Sequence, residues 1–130
     1  MFSAAEARQF NRDGYIVARG LASADDCTAI RAIAERDLTA AMPPVEFEAD
    51  TRYPGAPVSH DAPGGRTVRR LLQACARDPL IARWAVQPAM ATRLQQLIAP
   101  RVELSQAHHN CVMTKNPSYS SVTNWHQDIR

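Results

Sequence analysis

Lysine is nearly absent from this chain: of its 15 basic residues, 14 are arginine and only Lys115 is lysine. That bias, together with abundant alanine, reads as the codon composition of a GC-rich bacterial genome rather than as chemistry. Cysteine is also scarce. Cys27, Cys75 and Cys111 are odd in number, widely spaced and free of any CxxC. This excludes a disulfide scaffold or a cysteine-rich zinc module and fits a reducing, cytoplasmic setting. No apolar run approaches the roughly 20 residues of a membrane span. The opening Met1-Phe2-Ser3-Ala4-Ala5-Glu6 has neither the basic nor the apolar region of a secretory signal. Clustered Lys/Arg with interleaved aromatics, the footprint of a nucleic-acid binder, is missing as well.

What remains is ordinary globular material. The chain has 130 residues, 45% hydrophobic and 22% charged, enough for one domain or part of one and too apolar for wholesale disorder. The net charge of +2 is unevenly spread. Residues 1–50 carry five arginines against nine acids, and residues 51–130 carry ten basic residues against four acids. A positive second part suits an anionic small molecule or a phosphorylated carrier.

Periodicity predicts helices first and strands last. Ser3, with Glu6 three residues on, forms a capping-box signature, and Gly14 ends the helix it starts. Tyr15–Arg19 is a β-branched and aromatic run between Gly14 and Gly20, so a short strand is expected. Ser23 caps a second helix to about Ala41, with Cys27, Ile30, Ile33, Ala34 and Leu38 at helical spacing. Met42–Gly65 holds five prolines and three glycines and predicts a long irregular loop, a candidate substrate lid. Helices are then expected over Thr67–Ala76, Leu80–Val86 behind Asp78-Pro79, and from Gln87-Pro88 to before Pro100. The last has Met90, Leu94, Leu97 and Ile98 as its buried face. From Arg101 to Lys115 the period becomes two, Asn116-Pro117-Ser118 is a turn, and a further strand should start near Val122. The order of elements points to an α+β fold.

The chemistry-bearing residues sit at the end: Asn124-Trp125-His126-Gln127-Asp128. On a strand, residues two apart share a face, so His126 and Asp128 stand together as an imidazole and a carboxylate that suit a divalent metal. With a second histidine they would make a 2-His-1-carboxylate triad on Fe(II). The plain alternative is a solvated His–Asp pair near a strand start, oriented by hydrogen bonds.

This WHQD-type motif resembles that of the phytanoyl-CoA dioxygenase family. The phrase Phe10-Asn11-Arg12-Asp13-Gly14-Tyr15-Ile16-Val17 is similar to that family's N-terminal helix-to-strand opening. The resemblance implies an Fe(II)- and 2-oxoglutarate-dependent dioxygenase that hydroxylates an aliphatic C–H of a small-molecule or acyl substrate. It implies N-terminal helices, about residues 1–100, packed on the first strands of a double-stranded β-helix (jelly-roll or cupin-like), about residues 101–130. It makes His126 and Asp128 metal ligands and places Cys111 near the 2-oxoglutarate pocket. An arginine within Arg66–Arg70, taken as Arg69, would help hold the co-substrate. The family's distal histidine and co-substrate arginine would lie beyond residue 130. The expectation is therefore the N-terminal portion of one dioxygenase domain, incomplete and inactive by itself.

Other residues carry less. Lys115 is a candidate for a substrate carboxylate or phosphate, against a solvated strand-end cation. On a strand, Ala107, His109, Cys111 and Met113 would share one face and His108, Asn110, Val112 and Thr114 the other, leaving His109 as a conceivable replacement ligand. A zinc hydrolase using His126, Asp128 and His108 or His109 is one rival reading. Another is a non-enzymatic module that self-associates through unpaired strands. His60 beside Asp61 is expected exposed in its loop. Cys27 and Cys75 are expected in the core, and Trp84 reads as core rather than platform.

Overall fold

Local signals fix most of the helices. The computed structural model describes residues 1–106, 109–120, 124 and 125. Helix α1, Ala4–Asp13, opens on the expected capping box. The Ser3 hydroxyl accepts from the Glu6 amide at 3.3 Å, and the Glu6 carboxylate accepts from the Ser3 amide at 2.7 Å. It closes on Gly14 at φ 79°, a left-handed turn that glycine adopts without a Cβ clash. Helix α2, Ala24–Thr39, begins where the Ser23 hydroxyl accepts from the Asp26 amide at 3.0 Å. Helix α4, Pro79–Ala85, has Asp78 as its cap, accepting from the Leu80 amide at 2.8 Å. Helix α5, Pro88–Leu97, starts on proline, whose missing N–H costs nothing at that position. Just ahead of α4 lies the single turn α3, Ala74–Arg77. Among the described residues no helix is long and apolar enough to cross a membrane.

The strands depart from expectation. β1 is Val45–Phe47, β2 is Val68–Leu72 and β3 is Cys111–Met113, forming one antiparallel sheet in the order β1-β2-β3. The Met42–Gly65 stretch is thus not one irregular loop: it contains β1 and a 3₁₀ turn at Glu48–Asp50. Thr67–Ala76 is not one helix either. Its apolar residues fit both periods, and pairing on both sides decides for a strand, while Gln73 at φ 55° separates β2 from α3. Tyr15–Arg19 forms no strand; Tyr15 and Val17 are 63% and 61% exposed, and among the described residues no strand pairs with this segment. Of the strand expected from Arg101 to Lys115, the described residues show Cys111–Met113. The turn at 116–118 is present, with the Asn116 side chain accepting from the Ser118 and Tyr119 amides at 2.8 and 3.1 Å. The start expected near Val122 lies outside the described residues.

The architecture is α+β, and the chain divides into two compact units, Met1–Ile33 with Gln73–Asn110, and Ala34–Leu72 with Cys111–Arg130. In the first, the Gln96 side-chain amide clamps the Phe2 backbone, donating to its carbonyl at 2.7 Å and accepting from its amide at 2.8 Å. Asn110 serves the start of α3: its carbonyl accepts from the Ala74 amide and its side-chain oxygen from the Cys75 amide. Ala74 and Ile81 are buried here. Helix α5 has no buried residue, and its expected inner face is half-buried or exposed, with Ile98 open to solvent. Cys27 is exposed rather than in the core, Cys75 is half-covered, and Trp84 is half-buried.

In the second unit the sheet holds the core. Val68 is buried and Leu71 is 0% exposed. The C-terminal part of α2 buries Asp37 rather than Leu38, and the Arg36 guanidinium meets its carboxylate at 2.8 Å.

Candidate functional site

Successive residues of a regular strand point to opposite faces, yet Arg69 and Arg70 meet the same carboxylate. The cause is a β-bulge. Val45 pairs with Leu71, Glu46 with Arg70, and then Phe47 with Val68, so Arg69 is the extra residue of β2. A bulge re-aims the side chain it carries. Arg69 Nε lies 3.3 Å from Glu46 Oε1, and Arg70 Nη1 lies 3.2 Å from Glu46 Oε2. Glu48 adds a second carboxylate, its Oε2 at 3.5 Å from Arg69 Nη1.

The inner part of this cluster is sealed from water, while Glu46 and Arg70 are half-buried. Arg69 is 3% exposed and Glu48 1%. Desolvating ions costs several kcal/mol each, and opposite charge at close range offsets it only when the groups are well paired. Two arginines and two glutamates balance in sign. Arg69 Nε and Nη1 make no hydrogen bond although both face carboxylates, so the guanidinium is held by charge rather than by aligned donors. The Tyr53 ring covers it at 4.6 Å from the guanidinium carbon, a cation–π arrangement.

Sequence reasoning named Arg69 and missed Glu46, Glu48 and Tyr53. A signal existed: Val45 and Phe47 alternate with Glu46 and Glu48, the period of a strand, but the surrounding prolines favoured a loop reading.

The sheet brings the other candidates to the same strand pair. Cys111 is half-buried opposite Leu72, and Met113 is opposite Arg70. The Thr114 amide donates to the Arg69 carbonyl at 2.9 Å, so Lys115 follows directly on the end of the β2–β3 ladder. His109 does not share the Cys111 face as expected. It is exposed at φ 54°, left-handed, and the alternation of β3 does not run through it. His126, Asp128 and His108 lie outside the described residues. Of their neighbours, Trp125 is fully exposed. Among the described residues no group of three or more His, Cys, Asp or Glu side chains is placed to hold a metal ion.

A second polar constellation lies on the connection from β1 to β2. Asp50 accepts from the Phe47 amide at 2.7 Å and meets His60 Nε2 at 2.5 Å. The Phe47 amide, and then His60, hold the Asp50 carboxyl below the ordinary aspartate range. The His60 ring stands edge-on to Phe47, centroids 5.4 Å apart. His60 is exposed, as its loop position predicts, but it is not idle.

Comparison with known proteins gives one clear match. The family model described as phytanoyl-CoA dioxygenase aligns with residues 10–130. No curated protein and no solved structure matches.

Proposed function

The chain belongs to the phytanoyl-CoA dioxygenase family, and from that premise we propose that it serves Fe(II)- and 2-oxoglutarate-dependent hydroxylation of an aliphatic C–H in a small-molecule or acyl substrate. The observation that carries this reading is the reach of the family match, which extends through Trp125-His126-Gln127-Asp128. An imidazole and a carboxylate two residues apart are a donor set that fits ferrous iron. In this reading His126 gives a ring nitrogen and Asp128 a carboxylate oxygen. When bound, iron supplies the open positions at which 2-oxoglutarate and O₂ meet, with succinate and CO₂ as the co-products. The three-stranded sheet is then the start of a double-stranded β-helix, and the whole chain part of one dioxygenase domain.

The β2–β3 pair supplies the co-substrate side of the proposal. Cys111 would line the pocket, and Lys115, at the end of the ladder, would face a carboxylate. Arg69 fits a supporting part better than a direct one. Its charge is already balanced by Glu46 and Glu48, so a carboxylate ligand would have to displace one of them. The lid suggested by the Pro/Gly-rich stretch narrows to the connection between the 3₁₀ turn and β2. Exchanging it between relatives should change substrate choice rather than stability alone.

Anaerobic titration with Fe(II) and 2-oxoglutarate, followed by visible absorption, tests the reading. The expected result is Fe(II) binding, with a colour on adding 2-oxoglutarate once the distal histidine and co-substrate arginine that the family resemblance implies are also present. His126→Ala and Asp128→Ala should each weaken iron binding by at least about tenfold, the lower end of what losing a mere supporting residue costs a metal site. Unchanged binding in both variants would remove the proposal. Tight zinc binding with no response to 2-oxoglutarate would favour a hydrolase.

A further inference from the structure

The connection between β1 and β2 is a loop with a closed neck. The Glu48 amide donates to the Thr67 carbonyl at 2.8 Å and the Ala49 amide to the Gly65 carbonyl at 3.3 Å. Gly64, at φ 77°, packs where a Cβ would collide with the Tyr119 ring, and a Cβ on Gly65 would collide with the Ser59 carbonyl. Two glycines therefore let the neck draw tight. Segments of this size with joined ends are compact surface units.

Inside the neck two side chains reach back to the sheet side of the loop by different forces. Tyr53 lays its ring on the buried Arg69 guanidinium. His60 meets the Asp50 carboxylate and the edge of Phe47. Each anchor has its own local turn: the Ala56 amide bonds the Tyr53 carbonyl at 3.0 Å, and the Ala62 amide bonds the Ser59 carbonyl at 3.1 Å. The two anchors share no residue. Their partners, Arg69 on β2 and Asp50 on the 3₁₀ turn, are likewise separate.

We propose that residues 51–64 form a strap closed by two independent clasps, Tyr53 on Arg69 and His60 on Asp50, so that releasing the Tyr53 clasp bares a buried guanidinium while the neck stays shut. The inference concerns the loop itself and stands apart from the oxygenase reading. Arg69 is charge-balanced by Glu46 and Glu48 with the ring lifted away, which makes opening possible without leaving a lone ion. The ring contributes attraction to the cation and exclusion of water, both recoverable by any aromatic side chain at position 53.

Amide hydrogen exchange on the full chain tests it, with Ala56, Ala62 and Glu48 as reporters of the first clasp, the second clasp and the neck. Tyr53→Leu should speed exchange at Ala56 by roughly three- to thirtyfold, the factor matching a cation–π contact, and leave Glu48 unchanged. Tyr53→Phe should behave as the native chain. His60→Ala should speed Ala62 and spare both Ala56 and Glu48. The proposal is overturned if Ala56 does not respond to Tyr53→Leu, if Phe is as fast as Leu, or if Glu48 accelerates with either reporter. Should Tyr53→Leu fail to fold, His60→Ala decides alone: Ala62 faster with Glu48 unchanged supports the strap, and any other pattern removes it.

Discussion

At the scale of single residues, charges are placed by their partners. Asp50 ionises more readily in the folded chain than when unfolded, because the Phe47 amide and then His60 favour its carboxylate. A depressed carboxyl contributes stability that is fully present above the unfolded value, about 3.9, and is lost as the pH falls through the folded one. Asp50→Asn should therefore flatten the acid limb of a stability–pH curve below about pH 4, measured by urea midpoints. The buried cluster behaves differently. Glu48→Ala leaves Arg69 with Glu46 alone and should cost about 3 kcal/mol, the lower end for breaking a buried pair. Adding Arg69→Met should restore part of that loss, since an apolar side chain needs no counter-charge. Denaturant unfolding of the single and double variants checks both. The arginines were visible in the sequence as Arg66–Arg70. Their pairing with Glu46 was not, because the approach of Glu46 to Arg69 depends on a bulge, and no residue type announces one.

At the scale of elements, legibility followed the range of the forces. Caps act within one turn, so Ser3 with Glu6, Ser23, and Asp78 before Pro79 could be named from the sequence, and each starts its helix as expected. Ser3→Ala should cost about 1 kcal/mol and loosen the first turn of α1, seen as faster exchange of the Glu6 amide. Strands depend on partners distant in the chain. Val68–Leu72 has apolar residues compatible with a helix, and only pairing to Val45–Phe47 on one side and Cys111–Met113 on the other makes it the middle of a sheet. Tyr15–Arg19 has the composition of a strand but no partner among the described residues. The candidate metal pair His126 and Asp128 was named from motif and spacing alone, a signal that needs no tertiary information.

At the scale of the molecule, the core is thin. Among the described residues only Val68, Leu71, Ala74 and Ile81 are buried apolar positions, while Tyr15, Val17, Val58, Val86 and Ile98 are largely exposed. Stability therefore rests on few side chains, and Leu71→Ala, which empties a fully enclosed site, should cost about 2–5 kcal/mol and shift the thermal midpoint more than any of the cap variants. The extra residue in β2 has a consequence for how this protein tolerates insertion and deletion. Arg69 and Arg70 are identical neighbours, so loss of either codon gives the same chain and would let Phe47 and Val68 continue an unbroken ladder, whereas loss of the Val68 or Leu71 codon would remove a buried apolar side chain from the strand. A length change of one residue is thus survivable at this arginine pair, and the survivor would keep its backbone pairing with one arginine opposite Glu46 in place of two.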